Sequence, residues 1–558
     1  MSNGQALGAH TLSRISIFPS RSASQAPKIT PLSILDAKAA NVAAGAAFWV
    51  FDRSDQLSTD LLGSSLKETL NHYPYWAGEL SFVKNVNPRD HACRFHRLQV
   101  KYGFPTDLGV NLIIAESAQP ILSLVPDGSR SDVWDASQLP SATFIPDDPL
   151  PPAVKGSGVF VQITTFSDAL VISVKIAHCL SDAHIIVQFM HNWVSIHRRA
   201  PLPFPPIFNP SLLDQAASGN TNAETPDASS THGCPPFMVE STRIEGKMTR
   251  PLGMPMPWAE WDWAAPAQHY VVHFTREEVH NMWLDGTATQ NQDGLSLSHL
   301  DTLLGFVWVL INRARDVAGT LQPVHLITMI GMRGRLLPDA FIRSPVILAG
   351  IARAGEGAAL GALLHDMAYE DTLQRVWNGF VGRRHVIFTS WLRLGMYDVN
   401  FTGSKIRSEN GVTSEIDTRE GRPKYASSVM PRVDGILQIT EARSGAGNER
   451  GRGQWWEGGV DVSLQLEPKV MESLVRDTIL RKYRSCTTYG LQACSCDSSH
   501  CSGILDYDCN ETATCQAALF DLIPRLRLFM LDFYSKPTTA ASMSPTRRLC
   551  RYSGLRVT

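Results

Sequence analysis

A histidine followed four residues later by an aspartate stands at His178 and Asp182, within the stretch VISVKIAHCLSDAHIIVQFMHNW that runs from Val171 to Trp193. An unperturbed imidazole titrates near 6.5, so at neutral pH enough of it is uncharged to take a proton from a hydroxyl. An alcohol is too weak an acid to ionise beforehand, and such a base must act while the new bond forms. A carboxylate close by can hold the turn through an ion pair without touching the ring. A plainer role is open to the same residues: Ser181 or Asp182 can cap the following helix, and His178 can be a hydrogen-bonded core histidine. With 17 histidines in the chain, about one H-x-x-x-D arises by chance, so the spacing alone decides nothing.

Neighbouring residues suggest other chemistry. Cys179 could be a nucleophile, but successive strand side chains point to opposite faces, which sets it apart from His178. His184 and His191 could join His178 and Asp182 around a metal. No H-E-x-x-H or comparable spacing is present, both are expected on the solvated surface of the helix, and no metal is expected.

The pair needs a strand, a turn and a helix. Gly156 to Phe166 and Ala169 to Ala177 are alternating runs parted by Ser167 and Asp168, the pattern of a hairpin. After Asp182, residues Ile185, Ile186, Phe189 and Trp193 share one helical face. Leu57 to Tyr75 reads as an amphipathic helix ended by a proline. HYVVHF and VHLITMIGMRGRLLP read as strands, and SLSHLDTLLGFVWVLINRAR as a helix.

A chain of 558 residues exceeds one ordinary domain, and its texture divides it. Residues 1–212 are read as an N-terminal lobe carrying the histidine, 213–262 as a polar crossover, and 263–485 as a C-terminal lobe. Residues 402–421 form an irregular polar insertion, and 486–558 a cysteine-rich irregular tail. Both are long for unstructured segments; a functional loop is one explanation, a translated intron or shifted frame another. Lys and Arg number 51 against 53 Asp and Glu, so no field favours nucleic acid. No window reaches the roughly 18 apolar residues of a spanning helix, and MSNGQALGAHTLSRIS lacks the apolar centre of a signal peptide. A cytoplasmic monomer is expected. Cys93, Cys179 and Cys234 read as reduced thiols, whereas Cys486, Cys494, Cys496, Cys501, Cys509, Cys515 and Cys550 crowd the end. CSCDSSHCSG offers no paired C-x-x-C knuckle for zinc.

IAHCLSDAHIIVQFMHNW resembles the H-x-x-x-D segment of the BAHD-type, coenzyme-A-dependent acyltransferases, particularly the fungal trichothecene O-acetyltransferase branch. SILDAKAANVAAGAAFWVF, LKETLNHYPYWAGEL, SHLDTLLGFVWVLINRAR, GMRGRLLP, TSWLRLGMYDVNF and WWEGGVDVSLQLEPKVMESLVRD resemble further segments of that family, in order, from about Ile15 to Arg484. The resemblance implies an α/β fold of two chloramphenicol-acetyltransferase-like lobes, each a mixed sheet with flanking helices, joined by a crossover loop. A tunnel between them would admit acyl-CoA from one side and a small-molecule alcohol, or an amine, from the other. His178 would be the base and Asp182 the aspartate that shapes the site. Arg333 in GMRGR would be the partner of Asp182, with Arg335 second. Asn400 stands where the family's D-F-G-x-G motif has aspartate, which loses a charge, and the 402–421 insertion separates it from G-R-P-K-Y. The implied reaction moves an acyl group, acetyl by preference, from acyl-CoA to a hydroxyl of a small secondary metabolite. Acyl-CoA is then a co-substrate, with no bound cofactor and no acyl-enzyme. An impaired relative that binds without turnover, and condensation-like transfer from a carrier protein, are the alternatives.

Overall fold

The structure is a computed structural model that describes residues 8–20, 26–39, 44–84, 97–126, 132–151, 155–211, 213, 240–241, 251–252, 265–288, 297–317, 324–329, 383–402, 405–407, 413–415, 421–443 and 454–484. Its first strands are β1 (His10–Ile17), β2 (Lys28–Pro31), β3 (Gly45–Asp52), β4 (Glu79–Phe82), β5 (Leu98–Tyr102), β6 (Val110–Glu116), β7 (Val133–Asp135), β8 (Val159–Thr165) and β9 (Ala169–Ile176). After two short strands, β10 (Glu240–Ser241) and β11 (Pro251–Leu252), come β12 (Gln268–Phe274), β13 (His325–Thr328) and β14 (His385–Ser390). The last are β15 (Lys405–Arg407), β16 (Thr413–Glu415), β17 (Tyr425–Ser428), β18 (Ile436–Glu441) and β19 (Val460–Leu466). The helices are α1 (Ile34–Lys38), α2 (Thr59–Thr69), α3 (Ser141–Phe144), α4 (Ala183–His197), α5 (Arg276–Ala288), α6 (His299–Ala314) and α7 (Pro468–Arg476).

The alternating runs before His178 form the hairpin β8–β9, as their pattern predicts. Its turn is held by the Asp168 carboxylate, which accepts the N–H groups of Ile121 and Leu122 at 2.8 and 3.0 Å. Around the hairpin the described strands build one sheet in the order β1-β6-β8-β9-β3-β17, with β6 and β8 parallel and the other neighbours antiparallel. A second sheet has the order β13-β14-β18-β19-β12-β7, parallel among β13, β14 and β18 and antiparallel beyond. Strands β2, β5 and β4 make a small antiparallel sheet. Both large sheets are mixed, and the fold is the expected α/β class. Each takes one strand from the other half of the chain: β17 pairs with β3, and β7 with β12. Arg481 anchors β7's approach, donating to the Asp132 carbonyl at 2.8 Å and the His273 carbonyl at 2.7 Å.

Helices α2 and α4 cover one face of the first sheet over a core that includes Trp49, Trp76, Phe189 and Trp193. Full burial of each such side chain contributes roughly 2–3 kcal/mol. The indole N–H of Trp193 is satisfied by Ser65 Oγ at 2.9 Å. The helix predicted over Leu57–Tyr75 is shorter than its periodicity suggests. Ser58 caps α2, which stops at Thr69; 3₁₀ turns follow at Leu70–His72 and Pro74–Ala77. Pro74 cannot donate to a continuing helix, and the second turn instead carries Tyr75 and Trp76 into the core. Under the second sheet, α6 begins with a capping box, Ser298 with Asp301, and is buried nearly all round.

The 402–421 insertion contains the antiparallel pair β15–β16, and its two ends meet. Gly421 has φ +95, and a Cβ there would lie 2.7 Å from Asn400 Oδ1 and closer still to Thr402 Oγ1, so only glycine fits. Arg422 pairs with Asp398 across the same junction at 3.3 Å. Deleting residues 403–420 therefore leaves Thr402 beside Gly421 with little rearrangement. The deletion variant should fold and melt within about 2 °C of the parent, because shortening a loop whose ends already lie together costs little chain entropy. A collapse of cooperative melting would show that the insertion packs on the body.

Candidate active site

Alternation in β9 ends at Ile176, and the chain turns before α4. The turn is pinned by Ala177 N–H to the Gly158 carbonyl and Leu180 N–H to the Ala177 carbonyl, both 2.8 Å. His178 sits in it, half-buried. Its Nδ1 lies 3.0 Å from the Ser181 carbonyl. A carbonyl only accepts, so Nδ1 carries the proton and Nε2 keeps its lone pair. Burial pushes the pKa of His178 below 6.5, with the Asp182 charge and the contact to the Ser181 carbonyl pulling the other way. The ring is thus neutral at physiological pH, with one nitrogen able to accept a proton.

Asp182 does what its position before an apolar helix predicts. It is the extended N-cap of α4, and its Oδ1 accepts the Ile185 N–H at 3.1 Å. Its charge reaches His178 through space. The capping role and a role in the site therefore coexist in one carboxylate. Arg333 and Arg335 lie outside the described residues, as do the crossover and tail cysteines, Cys93 and the 486–558 tail.

Cys179 is buried in the core under α4, and burial pushes its thiol far up, which removes the thiolate a nucleophile needs. His184 accepts from Gln188 Nε2 at 2.7 Å on the helix. His191 is not on the solvated face as expected: it turns inward, donating from Nε2 to the Leu394 carbonyl at 3.2 Å beside Phe204. The segment after β14 packs on α4 and needs a polar partner there. Among the described residues no three His, Cys, Asp or Glu side chains are grouped to hold a metal.

Asn400 is buried, with Oδ1 accepting from Thr402 N–H at 3.0 Å and from its hydroxyl at 3.3 Å. The adjoining Phe401 packs edge-on against Trp193 and His197. These lie on α4 roughly 17 to 22 Å beyond Asp182 at the helical rise per residue. Asn400 is therefore not brought to His178; it seats a loop at the far end of the helix. The charge missing at this position has a nearby counterpart in Asp398, paired with Arg422.

Burial lowers the pKa of His178, His191, His197 and His269, the last to about 4. Each binds a proton more readily unfolded than folded, so stability is lost as pH falls below 6.5, the ordinary histidine value. His273 opposes this: burial lowers its pKa, but the bond to Asp461 at 2.8 Å outweighs it and the net shift is upward. Melting temperatures should fall steadily from pH 6.5 towards about 4; a flat profile would contradict the burial of these rings as neutral species.

Residues 9–249 match the Transferase family. Over 477 residues the chain is 24% identical to an acyltransferase of Alternaria alternata, AFT15-1, covering 75% of this chain and 86% of the relative. Over the N-terminal segment 9–249 the chain is similar to the Transferase family. The chain is also 24% identical to the acyltransferase abl6 of Leptosphaeria maculans, over 78% of the chain and 90% of that relative. Its fold is similar to the crystal structure of F. sporotrichioides TRI101 complexed with coenzyme A and T-2, with a TM-score of 0.55 at 14% identity, over 82% of this chain and 99% of that one. Vinorine synthase has the same fold, with a TM-score of 0.50 at 14% identity, over 83% of this chain and 96% of that one. Among the described residues no helix is long and apolar enough to cross a membrane.

Proposed function

We propose that this protein moves an acyl group, acetyl by preference, from acyl-CoA to a hydroxyl of a small secondary metabolite, with His178 as general base. The observation that carries this reading is the ring's hydrogen bond: Nδ1–H is committed to the Ser181 carbonyl, which leaves Nε2 as the basic nitrogen of a half-buried, neutral imidazole. Nε2 takes the hydroxyl proton as the alcohol oxygen attacks the thioester carbonyl carbon. The tetrahedral intermediate collapses with cleavage of the C–S bond, and the imidazolium returns its proton to the thiolate, giving free CoA and an ester. Asp182 holds the turn and its charge favours the transient imidazolium, with Arg333 as its partner. Relatives named acyltransferases and a neighbour complexed with coenzyme A support acyl-CoA as the donor.

The test incubates purified protein with acetyl-CoA and alcohol pools from co-expressed pathway intermediates. Free thiol and an acylated product by mass spectrometry are expected, unaffected by a chelator. Thiol release that needs an added metal, or none with any pool, would overturn the reading.

A further inference from the structure

On β18 and β19, Leu437, Ile439, Val462 and Leu464 belong to the helix-covered core. The alternate residues Gln438, Ser463 and Gln465 lie on the other face with His269 of β12, by cross-strand register. That face meets the first sheet, since Ser428 of β17 donates to Gln438 Oε1 at 2.6 Å. A crevice opens between the sheets, walled by Phe48 and Tyr425 on one side and by His269 and Gln465 on the other, with Ser137 and Arg432 exposed at its rim. Gln465 is 2% exposed, and its Oε1 has no hydrogen-bond partner among the described residues. His269 is committed to Ser463 Oγ at 2.6 Å. Burial and the charge of Arg432 keep this ring neutral, so the inner wall is polar but uncharged.

The crevice adjoins the base. Val429, another lining residue, donates its N–H to the Ala46 carbonyl at 2.8 Å. The preceding residue, Gly45, comes within 3.8 Å (measured from its ideal Cβ) of the Ser181 carbonyl that accepts from His178. Crevice wall and catalytic turn thus meet on adjacent residues at the start of β3.

A buried amide with an unmet acceptor is a standing cost to the fold unless something outside the protein relieves it. A hydroxyl both donates and accepts, so it can serve either end of Gln465; a carboxylate would set its charge against the amide oxygen. Phe48 and Tyr425, rings 5.9 Å apart and inclined at 48°, give the opposite wall an aromatic, apolar surface. We infer that Gln465 is a specificity-determining residue and that the acceptor is a neutral ring compound with at least two hydroxyls, one presented to His178 and the other bound by Gln465. The inference rests on the acyl-transfer reading and narrows its substrate class. A site built to bond a second hydroxyl discriminates sharply against an analogue without one.

Resorcinol and phenol are the probes, titrated by ligand-observed NMR into the full chain, wild type and the Gln465→Leu and Gln465→Met variants. The wild type should bind resorcinol roughly tenfold more tightly than phenol, about the worth of one hydrogen bond. Both variants should bind the two probes alike and melt no lower than wild type, because an unmet polar group has been replaced by an apolar one. Equal binding by the wild type, no binding of either probe, or an unchanged preference in both variants overturns the inference. So does a variant KM for acetyl-CoA that rises while the resorcinol preference persists, which would assign Gln465 to the amides of the pantetheine arm. A resorcinol preference that depends on Gln465, without any acyl transfer, upholds the diol site and sinks only the transfer reading.

Discussion

Replacing His178 by alanine should lower acyl transfer by about 10²–10⁴-fold, the usual contribution of a general base, and leave the melting temperature nearly unchanged. The ring is half-buried and, among the described residues, bonds to a backbone carbonyl of its own turn, so little of the fold depends on it. Positioning of the two substrates survives the substitution, which leaves a measurable residual rate. Turnover is read as free thiol and product mass, folding by circular dichroism. Near-wild-type turnover in a folded variant would reject the base assignment; a large fall in melting temperature would assign the ring to the core instead.

Asp182 should separate into two effects. Asp182→Ala removes the acceptor for the Ile185 N–H and should cost about 1 kcal/mol, a shift of roughly 2–4 °C. Asp182→Asn keeps an N-cap of equal quality, so its melting temperature should fall less. Both remove the charge that raises the His178 pKa, and both should lose activity on the order of tenfold, because the transient imidazolium loses a favourable charge. The acid limb of the rate profile should also move to lower pH. If Asn and Ala variants melt alike and both keep full activity, the carboxylate is a cap with no part in the site.

The strand, turn and helix around His178 were legible because period-two and period-3.6 patterns meet at a polar pair. The hairpin β8–β9, α4 and the Ser298–Asp301 cap of α6 follow local rules that any single segment carries. What local patterns do not carry is partnership at a distance. Nothing in TSWLRLGMYDVNF predicts that Met396 accepts from Trp49 at 3.0 Å, or that His191 turns inward to Leu394. Nor does the reading of an aspartate replaced at Asn400 reveal that Asp398 pairs with Arg422 two residues away. The exchange of β7 and β17 between sheets is likewise invisible, since each strand looks ordinary where it stands. The inter-sheet crevice did leave one signal: Ser463 and Gln465 alternate with Val462 and Leu464 in a strand buried on both faces, and polar residues there need a reason.

In the proposed reaction one neutral imidazole takes the acceptor's proton. The most direct test of that step is the pH dependence of kcat/KM for acyl transfer, measured side by side for the wild type and the residual activity of His178→Ala. The wild type should show an acid limb below 6.5, set by an imidazole that burial keeps unprotonated, and the variant should lack it. The same limb surviving in the variant would mean that another group removes the proton.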